Sequence, residues 1–196
     1  MAKSSRLQVV VVGAGLAGLT AALTLADRGA RVVLVDKNKF TGGNSAYASS
    51  GINAVGEKGE GSTDSDDSAL QYLNDTIRSS GRALAMEADS LPAALAKNSW
   101  KALEWFRTRV GMQLETKGQL GGHSAARTYR PSTGMAGSEM VFAITKLVKA
   151  LSKADKTQFD MRLGTELVSL ETDARNAISG VTIRGGDGVA VFLACA

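Results

Sequence analysis

One cysteine, one histidine and two prolines are spread over 196 residues, and each scarcity excludes a class of function. The lone thiol, Cys195, can close no internal disulfide and build no cysteine metal site, which fits a reducing compartment. No apolar run approaches the roughly 20 residues of a spanning helix, so the sequence predicts a soluble, intracellular chain without a membrane span. Met1 to Arg6 is short and basic and leads straight into a strand pattern, not into a signal-peptide apolar region. Ala194-Cys195-Ala196 carries no readable address. What is present is globular: 44% hydrophobic and 21% charged residues, without low-complexity blocks or short-period repeats.

The net charge of +4 is unevenly placed, with twelve Lys or Arg against five Asp or Glu between residues 97 and 162. These cations sit among helical positions without interleaved aromatics, so they read as a solvated face and not as a nucleic-acid surface.

The most informative stretch is Val9-Val10-Val11-Val12-Gly13-Ala14-Gly15-Leu16-Ala17-Gly18, followed by a second apolar run, Val32 to Val35, that ends in Asp36. This is the order of a βαβ dinucleotide site: Gly13 permits the tight turn, Gly15 lets a diphosphate approach backbone, and Gly18 lets the helix pack on the strand. The helix N-terminus offers N–H groups and the positive end of its dipole to phosphates. Seventeen residues separate Gly18 from Asp36, which places a carboxylate at the tip of the second strand, within reach of ribose hydroxyls.

In chain order the pattern predicts a strand over Leu7 to Val12, buried on both faces in the middle of a parallel sheet. A helix over Leu16 to Asp27 follows, with Leu16, Leu19, Leu23 and Ala26 on one face and Gly29 at its C-terminal end, and then a strand over Arg31 to Asp36. Asp64 to Asp67 supply N-caps for a helix from about Asp66 to Ser79, striped by Leu70, Leu73 and Ile77 and ended by Gly81. A second helical region runs through Met86, Leu91 and Leu95, with Pro92 near a first turn or a break. Ser99 caps a third over Trp100 to Val110, striped by Leu103, Phe106 and Val110 and stopped by Gly111. Trp100, Trp105 and Phe106 at helical spacing read as core. Four strand signals close the chain, Phe159 to Leu163, Glu166 to Leu170, Ile178 to Ile183 and Val189 to Leu193, with Asp-Ala-Arg-Asn and Gly-Gly-Asp-Gly turns among them.

Thr41 to Asn53, reading T-G-G-N-S-A-Y-A-S-S-G-I-N, is rich in small residues and exposed backbone, which suits close approach of a flat, polar-edged ring. Behind the dinucleotide fingerprint it resembles the flavin-contacting segment of the fumarate reductase, succinate dehydrogenase and L-aspartate oxidase flavoproteins. That resemblance implies FAD as cofactor, with Gly43, Asn44 and Ser45 near the diphosphate and ring edge and Ser50, Gly51 and Ile52 near the flavin N5. With the fingerprint residues Gly13, Ala14, Gly15, Gly18, Asp36 and Lys37, and with Leu167 placed against the adenine through its backbone, these form the expected cofactor set. Membrane-bound members carry a histidine where Asn44 stands, to which the flavin is joined, so the resemblance implies noncovalent FAD here. Simple NAD domains pass from the strand-end acid directly into the next helix, and the long Gly/Ser/Asn segment argues against that alternative.

Leu120 to Pro131 holds the only histidine, His123, beside Ser124, Arg127 and Arg130, ahead of a helix starting near Ser138. A nucleophilic triad is not expected, since no acid stands at a plausible spacing and no G-x-S-x-G elbow exists. The stretch resembles the G-G-H-S-x-x-R-T-x-R segment of eukaryotic soluble fumarate reductases, in which Tyr129 stands where relatives often have histidine. By that resemblance His123 orders the loop and is not a proton donor.

The fold class implied is α/β: a Rossmann-like FAD-binding domain with a parallel sheet, a helical insert and a small antiparallel β-meander. Residues 1–196 are expected to be an incomplete, N-terminal portion of a single FAD-binding domain, without the capping and C-terminal lobes, and inactive alone. The expected activity is that of a fumarate reductase-like oxidoreductase on a dicarboxylate, with no catalytic residue and no metal assigned within this stretch, and with another chain or domain covering the missing half. A non-catalytic FAD-binding module and a fragment of an L-aspartate oxidase-like flavoenzyme are the alternatives.

Overall fold

The computed structural model of the chain describes residues 7–56, 67–80 and 90–195. In chain order its elements are β1 (Gln8–Val12), α1 (Leu16–Asp27), β2 (Arg31–Asp36), a 3-10 turn (Gly43–Tyr47), β3 (Ile52–Asn53), α2 (Ala69–Ser79), α3 (Leu91–Trp105), a π-helical turn (Phe106–Val110), β4 (Thr116–Gly118), β5 (Thr128–Arg130), α4 (Ala136–Ala154), β6 (Phe159–Leu163), β7 (Glu166–Thr172), β8 (Ile178–Arg184) and β9 (Ala190–Ala194). They divide into two compact units, one made of residues up to Tyr47 with those from Ser138 onward, the other of Ala48–Gly137.

The first unit is built on a parallel sheet in the order β1-β2-β6, backed by an antiparallel meander β7-β8-β9. The apolar run of β2 is its centre: Val32 to Val35 are each at most 1% exposed, and burying each such side chain is worth roughly 1.5–3 kcal/mol. Val33 and Val35 pack on Val181 and Ile183 of the meander, with Val10, Leu167, Leu193 and Cys195 at the rim. Helix α1 has the bounds its pattern predicts and buries Leu19, Ala22 and Leu23. It ends in a Schellman motif: Gly29, at φ +83°, donates to Ala26 O and Ala30 N donates to Leu25 O.

Two expectations for the sheet are corrected. β1 lies at its edge and not in its middle; its residues are only partly covered and Val12 is 50% exposed. Among the described residues no strand joins its far side, and β6 takes the other edge of β2. Phe159–Leu163 accordingly belongs to the parallel sheet, in register with Val32–Asp36, and only the last three strands form the meander. Strand pairing is long-range, so a local apolar run fixes that a strand exists and not where it sits.

The second unit packs α2 and α3 with the small antiparallel sheet β3-β5-β4. Here the helix expectations need more revision. Helix α2 starts at Ala69, capped by Ser68, whose Oγ accepts the Gln71 N–H at 3.1 Å. Its buried residues are Tyr72 and Asp75, and Leu70 is 61% exposed. Ser99 does not start a helix: α3 runs unbroken from its Ser90 cap through Trp105, with Pro92 in the first turn. Buried inside it, the Ser99 hydroxyl donates to Ala96 O at 2.8 Å and accepts the Val55 N–H at 3.0 Å. Trp100, Leu103 and Phe106 are core, as expected, and Gly111 ends the π-helical turn at φ +78°. The proposed caps at Asp64 to Asp66, the stop at Gly81 and the position of Met86 lie outside the described residues.

Candidate functional site

In the first unit the glycine fingerprint joins β1 to α1. Gly13 adopts φ +102° and donates to Val35 O at 2.8 Å, so the turn is pinned to β2. Gly18 brings α1 against that turn; a Cβ there would stand 1.7 Å from Gly13 O. Gly15 caps α1 without a side chain, and the first turn holds no acidic residue. The N–H groups of that turn have no intrahelical acceptor, and no side chain caps them among the described residues.

Asp36, at the end of β2, sits beside this turn. Its Oδ2 accepts the Ala14 N–H at 2.6 Å and its Oδ1 accepts the Asn38 N–H at 2.7 Å. Each carboxylate oxygen retains a second lone pair for further donors. Ala14, fully buried, is gripped on its other side, where its carbonyl accepts the Gly42 N–H at 2.7 Å. Gly42 is held at φ +111°, where a Cβ would lie 2.9 Å from Val141 Cγ1, and the neighbouring Thr41 and Thr145 hydroxyls meet at 2.8 Å. Thus α4 fixes the loop that carries Gly43, Asn44 and Ser45 past Gly15. Asn44 is exposed in the 3-10 turn, and Ser45 N donates to Gly42 O at 3.1 Å.

A groove of about 450 Å³ opens beside the fingerprint, lined by Val12, Gly13, Asp36, Lys37, Asn38, Thr165, Glu166 and Leu167. Its size is that of a small-molecule site. The expected residues Gly13, Asp36, Lys37 and Leu167 therefore meet in one place. Asn38, Thr165 and Glu166 were not foreseen; Thr165 N donates to Asp36 O at 2.8 Å, and that long-range bond has no local signature.

In the second unit Gly51, at φ +144°, runs so close to β5 that a Cβ would stand 2.4 Å from Tyr129 O. Ile52 and Asn53 then pair with Tyr129 and Thr128. Ser50 is exposed at the start of this segment and Ile52 is half-buried.

Beside β5 lies a charge cluster that sequence reasoning did not anticipate. Arg127 is fully buried; its Nε and Nη2 donate to the two oxygens of Asp67 at 2.8 Å, its Nη1 donates to Asp75 Oδ2 at 2.7 Å, and it lies 5.0 Å from the Tyr72 ring centre. Arg78 pairs with the other oxygen of Asp75. Burial alone would raise the Asp75 pKa, but the Ser124 N–H and hydroxyl and the Arg127 guanidinium outweigh it and hold the carboxyl at about 2.

This geometry also corrects one point about Ser124 and His123. An acid does reach the serine, since Asp75 arrives from 49 residues away and accepts the Ser124 hydroxyl at 2.7 Å. The order is still not that of a triad: the serine proton points at a carboxylate locked to Arg127, and His123 Nδ1 is buried without a partner among the described residues. Burial and then Arg127 push the His123 pKa below its ordinary value of 6.5. An NMR titration of its ring should therefore give a midpoint below 6.5, and this contribution to stability should fade as the pH drops from 6.5 through that midpoint. A midpoint at or above 6.5 contradicts the burial. Tyr129 is 8% exposed, edge-on to Trp100 and 5.3 Å from the Arg107 guanidinium carbon; it serves the packing of this unit.

The profile of the FAD binding domain family matches residues 8–193. Fumarate reductase 1 of Saccharomyces cerevisiae is 35% identical over 182 residues, which are 92% of this chain and 38% of that protein. A probable fumarate reductase of Shewanella frigidimarina is 33% identical over 183 residues, 93% of this chain and 29% of that protein. Among solved structures, the open conformation of a flavocytochrome c3 fumarate reductase superposes with a TM-score of 0.80 at 29% identity, over 97% of this chain and 32% of that one. The chain thus spans between 29% and 38% of the length of these relatives.

Proposed function

The chain belongs to the FAD binding domain family, and from that premise we propose that it is the flavin-holding part of a fumarate reductase-like oxidoreductase acting on a dicarboxylate. The observation that carries this reading is the N-terminus of α1, capped by Gly15 without a side chain, beside an Asp36-lined groove of about 450 Å³. The residues suit the group: a close-packed glycine turn, a helix dipole for a diphosphate, and a strand-end carboxylate for ribose hydroxyls.

Gly13, Gly15 and Gly18 shape the diphosphate turn, and Ala14 holds Asp36 at the ribose through its own N–H. Lys37 and the backbone of Leu167 flank the adenosine end. Gly43, Asn44 and Ser45 run along the diphosphate and the ring edge, and in the second unit Ser50, Gly51 and Ile52 present backbone to the ring near N5. Bound FAD supplies hydride transfer at N5, which in the whole protein reduces the double bond of the dicarboxylate. This chain's residues bind and orient; the proton for the other carbon is assigned to none of them. Asn44 lacks an imidazole to bond covalently with the flavin, so FAD is held noncovalently.

Titration of the flavin-free protein with FAD tests the reading. Saturable binding is expected, with the flavin released into the supernatant on acid precipitation. Asp36→Ala should weaken binding by roughly ten- to a hundredfold, the value of a charge-assisted hydrogen bond. Flavin that stays with the precipitate overturns the noncovalent assignment, and an Asp36→Ala variant with wild-type affinity overturns the groove.

A further inference from the structure

We propose that the buried Arg127–Asp67–Asp75 cluster is the positioning element for the Ser50–Gly51–Ile52 segment, so that Arg127 sets the flavin's surroundings without touching it. The consequence for the flavin rests on the assignment of that segment to the ring; the positioning itself rests on the second unit alone.

The chain of contacts is short. Arg127 is fixed from both ends of its guanidinium, by a fork onto Asp67 and by a single bond to Asp75. Its formal charges balance within the cluster, two carboxylates against Arg127 and Arg78. Ser124 clamps Asp75 by both its N–H and its hydroxyl, at 2.7 Å each. An arginine held this way cannot slide, and neither can its backbone. Arg127 O accepts the Ala54 N–H at 2.9 Å, and Arg127 N donates to Gly118 O at 3.2 Å. The next residue, Thr128, pairs with Asn53 in the ladder and donates its hydroxyl to Asn53 Oδ1 at 2.7 Å. One step further, Tyr129 O lies so close to Gly51 that no side chain fits between them. Any shift of Arg127 therefore moves β5, and β5 carries β3 and Gly51 with it. Burying a guanidinium with two carboxylates is costly unless their geometry is good, and here all three guanidinium nitrogens are matched to carboxylate oxygens.

Arg127→Lys keeps the charge and loses the fork; Ser124→Ala removes one clamp from an exposed position and serves if the lysine variant fails to fold. In flavin-free protein, hydrogen exchange at Ala54 N–H should rise at least about tenfold in Arg127→Lys and by less in Ser124→Ala, while Val32 N–H in β2 keeps its rate. In FAD-loaded protein the same variants should shift the long-wavelength flavin absorption and the midpoint potential in that order, changes that looser folding at a distance would not cause. Unchanged exchange at Ala54 in both variants overturns the positioning role. Altered exchange with an unshifted flavin spectrum and potential overturns its consequence for the cofactor. If wild-type protein takes up no FAD but the exchange result holds, the proposed function fails and the positioning of β3 stands.

Discussion

Gly18→Ala should abolish FAD uptake and lower the melting temperature sharply, because the added methyl has nowhere to go. Its Cβ would lie 1.7 Å from Gly13 O and 2.9 Å from Gly13 C. Relief would need either the turn or the helix to retreat. The turn is tied by the Gly13 N–H to Val35 O at 2.8 Å, and β2 behind it is the buried centre of the sheet. The helix is held by Leu19, Ala22 and Leu23, all fully buried. Forced overpacking of this kind costs roughly 3 kcal/mol or more, which for a chain of this length lowers Tm by about 6–12 °C. Gly29→Ala is the control: Gly29 also takes positive φ, but a Cβ there meets nothing within 4 Å. Its cost is the left-handed backbone alone, about 1 kcal/mol, and FAD binding should survive. Circular dichroism melts with a flavin titration check both, and equal behaviour of the two variants would remove the close-packing role of Gly18.

The same contrast separates what could be read from the sequence from what could not. The fingerprint, α1 and β2 were legible to the residue because their signals are local: an apolar run, a helical stripe, a glycine where a helix must end. Around Asp36 the turn at Gly13 follows from the same local pattern, whereas Leu167 enters through the family resemblance alone; both line the groove. Thr165 escaped because it enters through a long-range backbone bond to Asp36 O, which has no side-chain signature, while Asn38 enters through a short-range turn on the Asp36 carboxylate. Helix α2 is legible only in part: Leu73 packs on the core as its stripe implies, whereas Leu70 is exposed. A stripe of Leu70, Leu73 and Ile77 is the natural reading, yet the buried face carries Asp75, and an acid belongs inside only when its partner is known. That partner is Arg127, 52 residues away, and no local window contains both. Ser99 misleads by a related ambiguity, since a serine that can cap a helix can also satisfy itself inside one by bonding the carbonyl three residues back. β4 and β5, at three residues each, are too short to carry a period.

Arg127→Met tests the energetic side of that long-range pair and should be among the most destabilising single changes in the second unit. The side chains of Asp67 and Asp75 are 2% and 4% exposed, so removing the guanidinium leaves Asp67 without its fork and Asp75 with only Ser124 and Arg78 in a nearly closed site. Breaking a buried ion pair from one side costs about 3–5 kcal/mol, or roughly 6–20 °C in Tm. The pH dependence should weaken with it. In the wild type, Asp75 is held at about 2 against an ordinary 3.8, so its stabilisation is complete above about pH 4 and is lost as the pH falls through 2. Without Arg127, two of the lowering influences on Asp75 are gone while burial and the two Ser124 hydrogen bonds remain, so its pKa moves up from about 2. The variant then loses less stability than the wild type as the pH falls below about 4, and acidification into that range narrows its deficit. Exchanging the whole cluster, with Asp67→Leu and Asp75→Leu added to Arg127→Met, should recover much of the loss, because apolar side chains of similar volume carry no desolvation penalty. Urea unfolding at neutral pH and near pH 3 decides the matter. A deficit below about 1 kcal/mol at neutral pH, or one that widens on acidification, would mean that the cluster is solvated and that Arg127 holds β5 by packing alone.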